Sequence, residues 1–151
     1  ARCIPAIGQR WGAVLMRQSS QQRQAWRLTG DATFIARPQA PGCGCCGGYI
    51  QGLKDVGADV VVHEITDTEL SKLKNEKGVP SEMYSCHTSI IDGYVVEGHV
   101  PFSAVAKLVS EQPTTTGIAL PGMPIGTPGM PGKKTETYEI TTLDGEAYVN
   151  I

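Results

Sequence analysis

Three things are missing from this 151-residue chain. No apolar run approaches the ~20 residues that a membrane-spanning helix needs. No stripe of lysine and arginine runs through it, and a formal charge of -2 gives it no field to draw a nucleic-acid backbone. The first residues lack the basic-then-apolar pattern of an export signal, a pattern that a processed mature chain would have lost in any case. Nucleic acid is therefore excluded as the main partner, and so is a membrane span. What is left is an ordinary globular composition, 40% apolar and 19% charged.

Cysteine, glycine and proline are where the chain departs from the ordinary. Five cysteines is an odd number, so full internal pairing is impossible. Cys3 stands alone and reads as an incidental thiol. Three others crowd into Pro41-Gly42-Cys43-Gly44-Cys45-Cys46-Gly47-Gly48. Adjacent cysteines rarely bridge each other, and a glycine-rich loop makes a poor core. Such a segment suits a soft metal or thiol exchange at a helix N-terminus. The glycines and prolines cluster there and again in residues 117–132.

The pattern along the chain predicts an α/β fold. Gln9 to Leu28 reads as a moderately amphipathic helix, making residues 1–30 an N-terminal helical extension. Thr33 to Ala36 is a short β-type run feeding the cysteine loop. Tyr49, Leu53 and Val56 then fall at helical spacing, with Gly57 as a stop. Val60-Val61-Val62 reads as a buried strand. Thr66 and Glu69 form a capping-box pattern for a helix containing Leu70 and Leu73. Thr88 to Ile91 and Tyr94 to Val96 flank Asp92-Gly93, a strong hairpin signal. Pro101 opens a helix with Val105, Leu108 and Val109 on its inner face. This order gives a thioredoxin-like mixed sheet with flanking helices over 31–132. Residues 112–132 read as a long loop. Residues 133–151 form a C-terminal β-hairpin extension around Asp144-Gly145.

In that arrangement Cys43, Cys45 and Cys46 sit at the first turn of a helix, where free N–H groups and the helix dipole favour thiolate. Cys86, in Ser85-Cys86-His87-Thr88, enters the strand beside that turn and should approach the other three. Cys43 and Cys46 have the Cys-x-x-Cys spacing of a thiol–disulfide oxidoreductase, with Cys43 attacking and Cys46 resolving, but this leaves Cys45 surplus. A structural zinc site normally uses two well-separated pairs. Cys45 beside Cys46 makes one compact tetrahedron awkward and favours bridging sulfurs, as Cu(I) does. An iron–sulfur cluster is a third reading.

The repeated Pro121-Gly122-Met123-Pro124 and Pro128-Gly129-Met130-Pro131 add thioethers, which bind Cu(I) or Ag(I) and offer little to Zn(II). A proline-glycine loop would present Met123 and Met130 outward; the alternative is that they plug the loop onto the sheet. His63 reads as structural or exposed. His87 and His99 are candidate peripheral ligands or donors to ligands, although for each one singly a non-ligating role is the better reading.

Taken together, Cys43-Gly44-Cys45-Cys46, Ser85-Cys86-His87-Thr88, Val95-Val96-Glu97-Gly98-His99-Val100-Pro101 and Leu120-Pro121-Gly122-Met123-Pro124 resemble the CopG-type bacterial copper-resistance proteins. The resemblance covers about residues 32–132. It implies a thioredoxin-like fold, a periplasmic location after export, and a polynuclear Cu(I) site with Cys43, Cys45, Cys46 and Cys86 as core ligands. Copper or silver ions and other copper-resistance proteins are the partners it implies. Sequestration of copper and a redox step on copper are both compatible with it.

Overall fold

The computed structural model describes residues 31–36 and 45–151. The N-terminal helix expected over Gln9 to Leu28, Cys3 and Cys43 lie outside the described residues. The chain runs β1 (Asp31–Ala36), α1 (Cys45–Asp55), β2 (Asp59–Glu64), α2 (Asp67–Glu76), a short 3-10 turn (Ser81–Met83), β3 (His87–Ile91) and β4 (Tyr94–Gly98). It continues with α3 (Phe102–Glu111), β5 (Gly117–Leu120), β6 (Glu139–Thr142) and β7 (Ala147–Asn150). All seven strands form one mixed sheet in the order β2-β1-β3-β4-β5-β6-β7.

The local rules behave as the sequence suggests. Thr66 caps α2 and Glu69 reaches back to it, completing the capping box. Asp92 and Gly93 both take positive φ and turn β3 into β4. Strand β1 is parallel to β2 across the α1 crossover and antiparallel to β3. The unit from β1 to α3 is therefore the expected thioredoxin-like arrangement, and β5, β6 and β7 extend its sheet beyond β4.

Two expectations are corrected. Val60-Val61-Val62 does form a strand, but β2 is an edge of the sheet, with Val61 53% and Val62 42% exposed. A β-branched run reports strand propensity and says nothing of position in the sheet. Residues 112–132 are also not one loop, because Gly117-Ile118-Ala119-Leu120 is a fully buried strand lying parallel to β4. Four residues without alternation give no periodic signal, and the flanking glycines and prolines mask the run.

Side chains from α1 and α3 pack on one face of the sheet. Tyr49 and Leu53 meet Phe34, Val96, Phe102, Val105 and Leu108 there. On the other face Val79 packs with Val95, Ala119 and Leu143. Tyr49 is fully buried, and its hydroxyl donates to the Val100 carbonyl at 2.8 Å. Burial pushes its phenol well above the usual tyrosine range, and negative charge on Cys86 adds to the effect.

The raised Tyr49 value fixes the sign of an alkaline effect. The unfolded chain loses this proton near pH ~10 while the folded chain keeps it, so the stabilisation is full below pH ~10 and declines above it. Between pH 10 and 11 wild-type unfolding free energy should fall by about 1 kcal/mol more than that of Tyr49→Phe. Urea titrations of both proteins across that range check this. Gly117 generates a second expectation. A Cβ there would lie 2.0 Å from the Val95 carbonyl oxygen, whereas nothing lies within 4 Å of one at Gly47. Gly117→Ala should cost about 3 kcal/mol of stability, and Gly47→Ala, in a helix, should cost nothing or stabilise slightly; denaturant midpoints report both.

Candidate metal centre

The strand register brings the chemistry to one end of the sheet. Ala36, the last residue of β1, pairs with His87, the first of β3. Thr88 pairs with Glu97 near the end of β4, and Gly98 pairs with Leu120 at the end of β5. The start of α1, the segment Cys86-His87, His99 and the proline-glycine loop after Leu120 all converge at this edge.

Cys86 is the centre of the group. Its Sγ lies 3.1 Å from His99 Nε2 and 3.2 Å from His87 Nδ1. Cys46, in the first turn of α1, has its Sγ 3.8 Å from the same His87 nitrogen. The donor atoms of Cys46, Cys86 and His87 lie within 4.8 Å of one another. Cys46 and the two histidines are buried, and Cys86 is half-buried. Sulfur and imidazole nitrogen, gathered at this spacing, are donors for a soft or borderline metal.

The imidazoles are held in place. His99 Nδ1 is 2.7 Å from the Pro128 carbonyl, which can only accept, so this nitrogen carries the proton. In the neutral ring Nε2 is then left as a lone pair directed at Cys86, the tautomer that metal-binding histidines adopt. His87 stacks on Phe34 at 4.4 Å, and Tyr49 packs against His87 at 4.8 Å and against His99 at 5.6 Å. These rings make the inner wall of the site and exclude water from it.

The proline-glycine loop covers the remaining side. A Cβ on Gly48 would lie 2.8 Å from Gly129 Cα, so α1 and the loop touch through two bare backbones. Ser85 Oγ donates to the Gly122 carbonyl at 2.8 Å, and the Tyr138 hydroxyl donates to that of Ile125. Met123 and Met130 are half-buried and pack against the core cluster that includes Cys46. Of the two readings of these thioethers, this packing fits the one in which they plug the loop onto the sheet. The loop folds back along the sheet edge, and in doing so it brings its methionines inward.

Of the residues singled out in the sequence, the structure gathers Cys46, Cys86, His87 and His99. Cys45 is the first residue of α1. His63 lies exposed on the edge strand β2, away from the cluster. Tyr49, Phe34 and the Pro128 carbonyl were not anticipated. The first two look like core residues in any sequence, and a backbone carbonyl leaves no sequence signal.

A family model described as a protein of unknown function, DUF411, matches residues 83–130, the stretch that carries Cys86, His87, His99 and both loop methionines. None of the curated protein sequences matches the chain. Two solved structures do. One is titled "Copper resistance protein copG- Form 1"; it is 37% identical, with a TM-score of 0.67, over 80% of this chain and 94% of its own. The other, titled "Copper resistance protein copG- Form 2", is also 37% identical, with a TM-score of 0.65, over 78% and 93%. With 37% identity over about four-fifths of this chain and nearly the whole of each relative, this chain belongs to the CopG family of copper resistance proteins.

Proposed function

We propose that this protein binds copper in metal resistance, holding several Cu(I) ions through bridging thiolates of Cys43, Cys45, Cys46 and Cys86. His87 and His99 complete the set from the buried side, and Met123 and Met130 contribute soft donors from the loop. The observation that carries this reading is the approach of both buried imidazoles to Cys86 Sγ, at 3.1 and 3.2 Å. Disulfide exchange through Cys43 and Cys46 has no use for a third thiol, Cys86, set between two imidazole nitrogens. Copper is the cargo here, and the protein serves to sequester it or to carry it through a redox change. The reading also takes the protein as exported to the periplasm, on the strength of its motifs. An oxidising compartment suits a protein whose thiols are protected by metal.

The His99 tautomer supports the same conclusion. A ring committed by Pro128 to present Nε2 needs no rearrangement to bind a metal, which lowers the entropic cost of ligation.

Reduced protein reconstituted anaerobically with Cu(I) against a competing chelator should retain more than one copper per chain. Cys45→Ser and Cys86→Ser should each lower the amount retained, and His99→Gln should weaken retention about tenfold or more. If the wild type surrenders all its copper to the chelator, the proposal fails and thiol–disulfide exchange through Cys43 and Cys46 takes its place. Strong visible absorption in anaerobically purified protein would instead indicate an iron–sulfur cluster, since Cu(I) thiolate is nearly colourless.

A further inference from the structure

Helix α2 carries a lysine where its inner face meets the sheet. Leu70 and Lys74 are its buried residues, and the Lys74 side chain is only 3% exposed. Burying an ammonium group costs several kcal/mol unless it is paired and hydrogen-bonded. Its partner is the fully buried carboxylate of Glu97 on β4, in direct contact with Lys74 Nζ. A well-packed apolar pair could fill the same space with equal or better stability. Stability alone therefore does not explain these charges.

Their other hydrogen bonds do. Lys74 Nζ donates to the Ser85 carbonyl at 2.6 Å, and Glu97 Oε1 accepts the Ser85 N–H at 2.8 Å. The ion pair thus grips both backbone groups of the residue immediately before Cys86. Glu97 Oε2 also accepts from the Thr88 hydroxyl at 2.6 Å. Ser85 and Thr88 bracket Cys86 and His87, so one carboxylate anchors the segment at both ends. Side chains alternate along a strand, so Thr88 and Glu97 face α2 while His87 faces Phe34 and Tyr49. The pair therefore works from behind the sheet and touches no candidate ligand. Gly98 completes the fit, since a Cβ there would lie 2.8 Å from Ser85 Cβ and 2.7 Å from the Leu120 carbonyl oxygen.

We propose that Lys74 and Glu97 are positioning residues for the metal centre, fixing Cys86 and His87 at the distance at which they meet Cys46 and His99. The metal side of this inference rests on the copper reading; the placement of Cys86 does not. An ion pair suits the task because its short, charge-assisted hydrogen bonds tolerate little displacement.

The test uses the full chain with Lys74→Met and Glu97→Gln combined, which removes both charges and keeps the volumes. Two quantities are read: Cu(I) retention against a chelator, and the rate at which iodoacetamide alkylates Cys86 in the metal-free protein, followed by peptide mass spectrometry. A folded double variant should hold Cu(I) about tenfold more weakly than wild type, and its Cys86 should alkylate faster. Unchanged retention together with unchanged alkylation overturns the proposal. If wild type itself retains no copper, the copper reading has failed, and alkylation alone decides whether the pair places Cys86. Thr88→Val loosens Glu97 without removing a charge, and it should shift both readouts the same way by a smaller factor. Should the double variant not fold, an unshifted Thr88→Val overturns the proposal.

Discussion

The antiparallel register of β3 between β1 and β4 is the constraint on which the rest of the molecule depends. Because Ala36 faces His87 and Thr88 faces Glu97, the end of one strand, the start of the next and the end of a third share one edge of the sheet. A one-residue slip would turn His87 to the opposite face and Thr88 inward. The wide hydrophobic face under α1 and α3 holds that register, since the slip would turn Ile91 of β3 away from the core it shares with Phe34 and Val96. The strength of the core thus sets the precision of the candidate site.

Around that edge the molecule assembles donors from distant parts of the sequence. Cys46 comes from a helix start, Cys86 and His87 from a strand start, and His99 from the turn into α3. None of these segments can reach another without the sheet. The loop from Pro121 to Gly132 then closes over them through backbone contacts. Its prolines restrict its conformations before folding, which lowers the entropy lost when it docks. Its Pro128 carbonyl does chemical work as well, because it selects the tautomer of His99.

Much of this was legible in the sequence, and for identifiable reasons. The capping box at Thr66 and Glu69, the Asp92-Gly93 hairpin and the proline before α3 are local signals, and each stands where local rules put it. The cysteine loop and the segment around Cys86 could be joined because the thioredoxin-like order implies their proximity. What could not be read depends on three dimensions. Val61 and Val62 have the composition of a central strand, yet lie at an edge. Gly117 to Leu120 is too short to announce itself as a strand. In α2 Leu73 is only half-buried while Lys74 is buried, because a carboxylate from β4 lies opposite it. His87 and His99, weak candidates when weighed one at a time, gain weight only from meeting at one sulfur.

The burial of the donors has an order to it. Among the described thiol and imidazole donors of the cluster, Cys86 is the only half-buried one; Cys46, His87 and His99 are buried. An ion coming to these residues from solvent must touch sulfur before nitrogen. Hard cations, which hold their water tightly and bind thiolate poorly, would be turned away at that first exchange. Under the proposed copper function a soft ion would pass it and only then acquire imidazole. Selection would then begin on the way in, by the sequence of encounters, before the final coordination is complete.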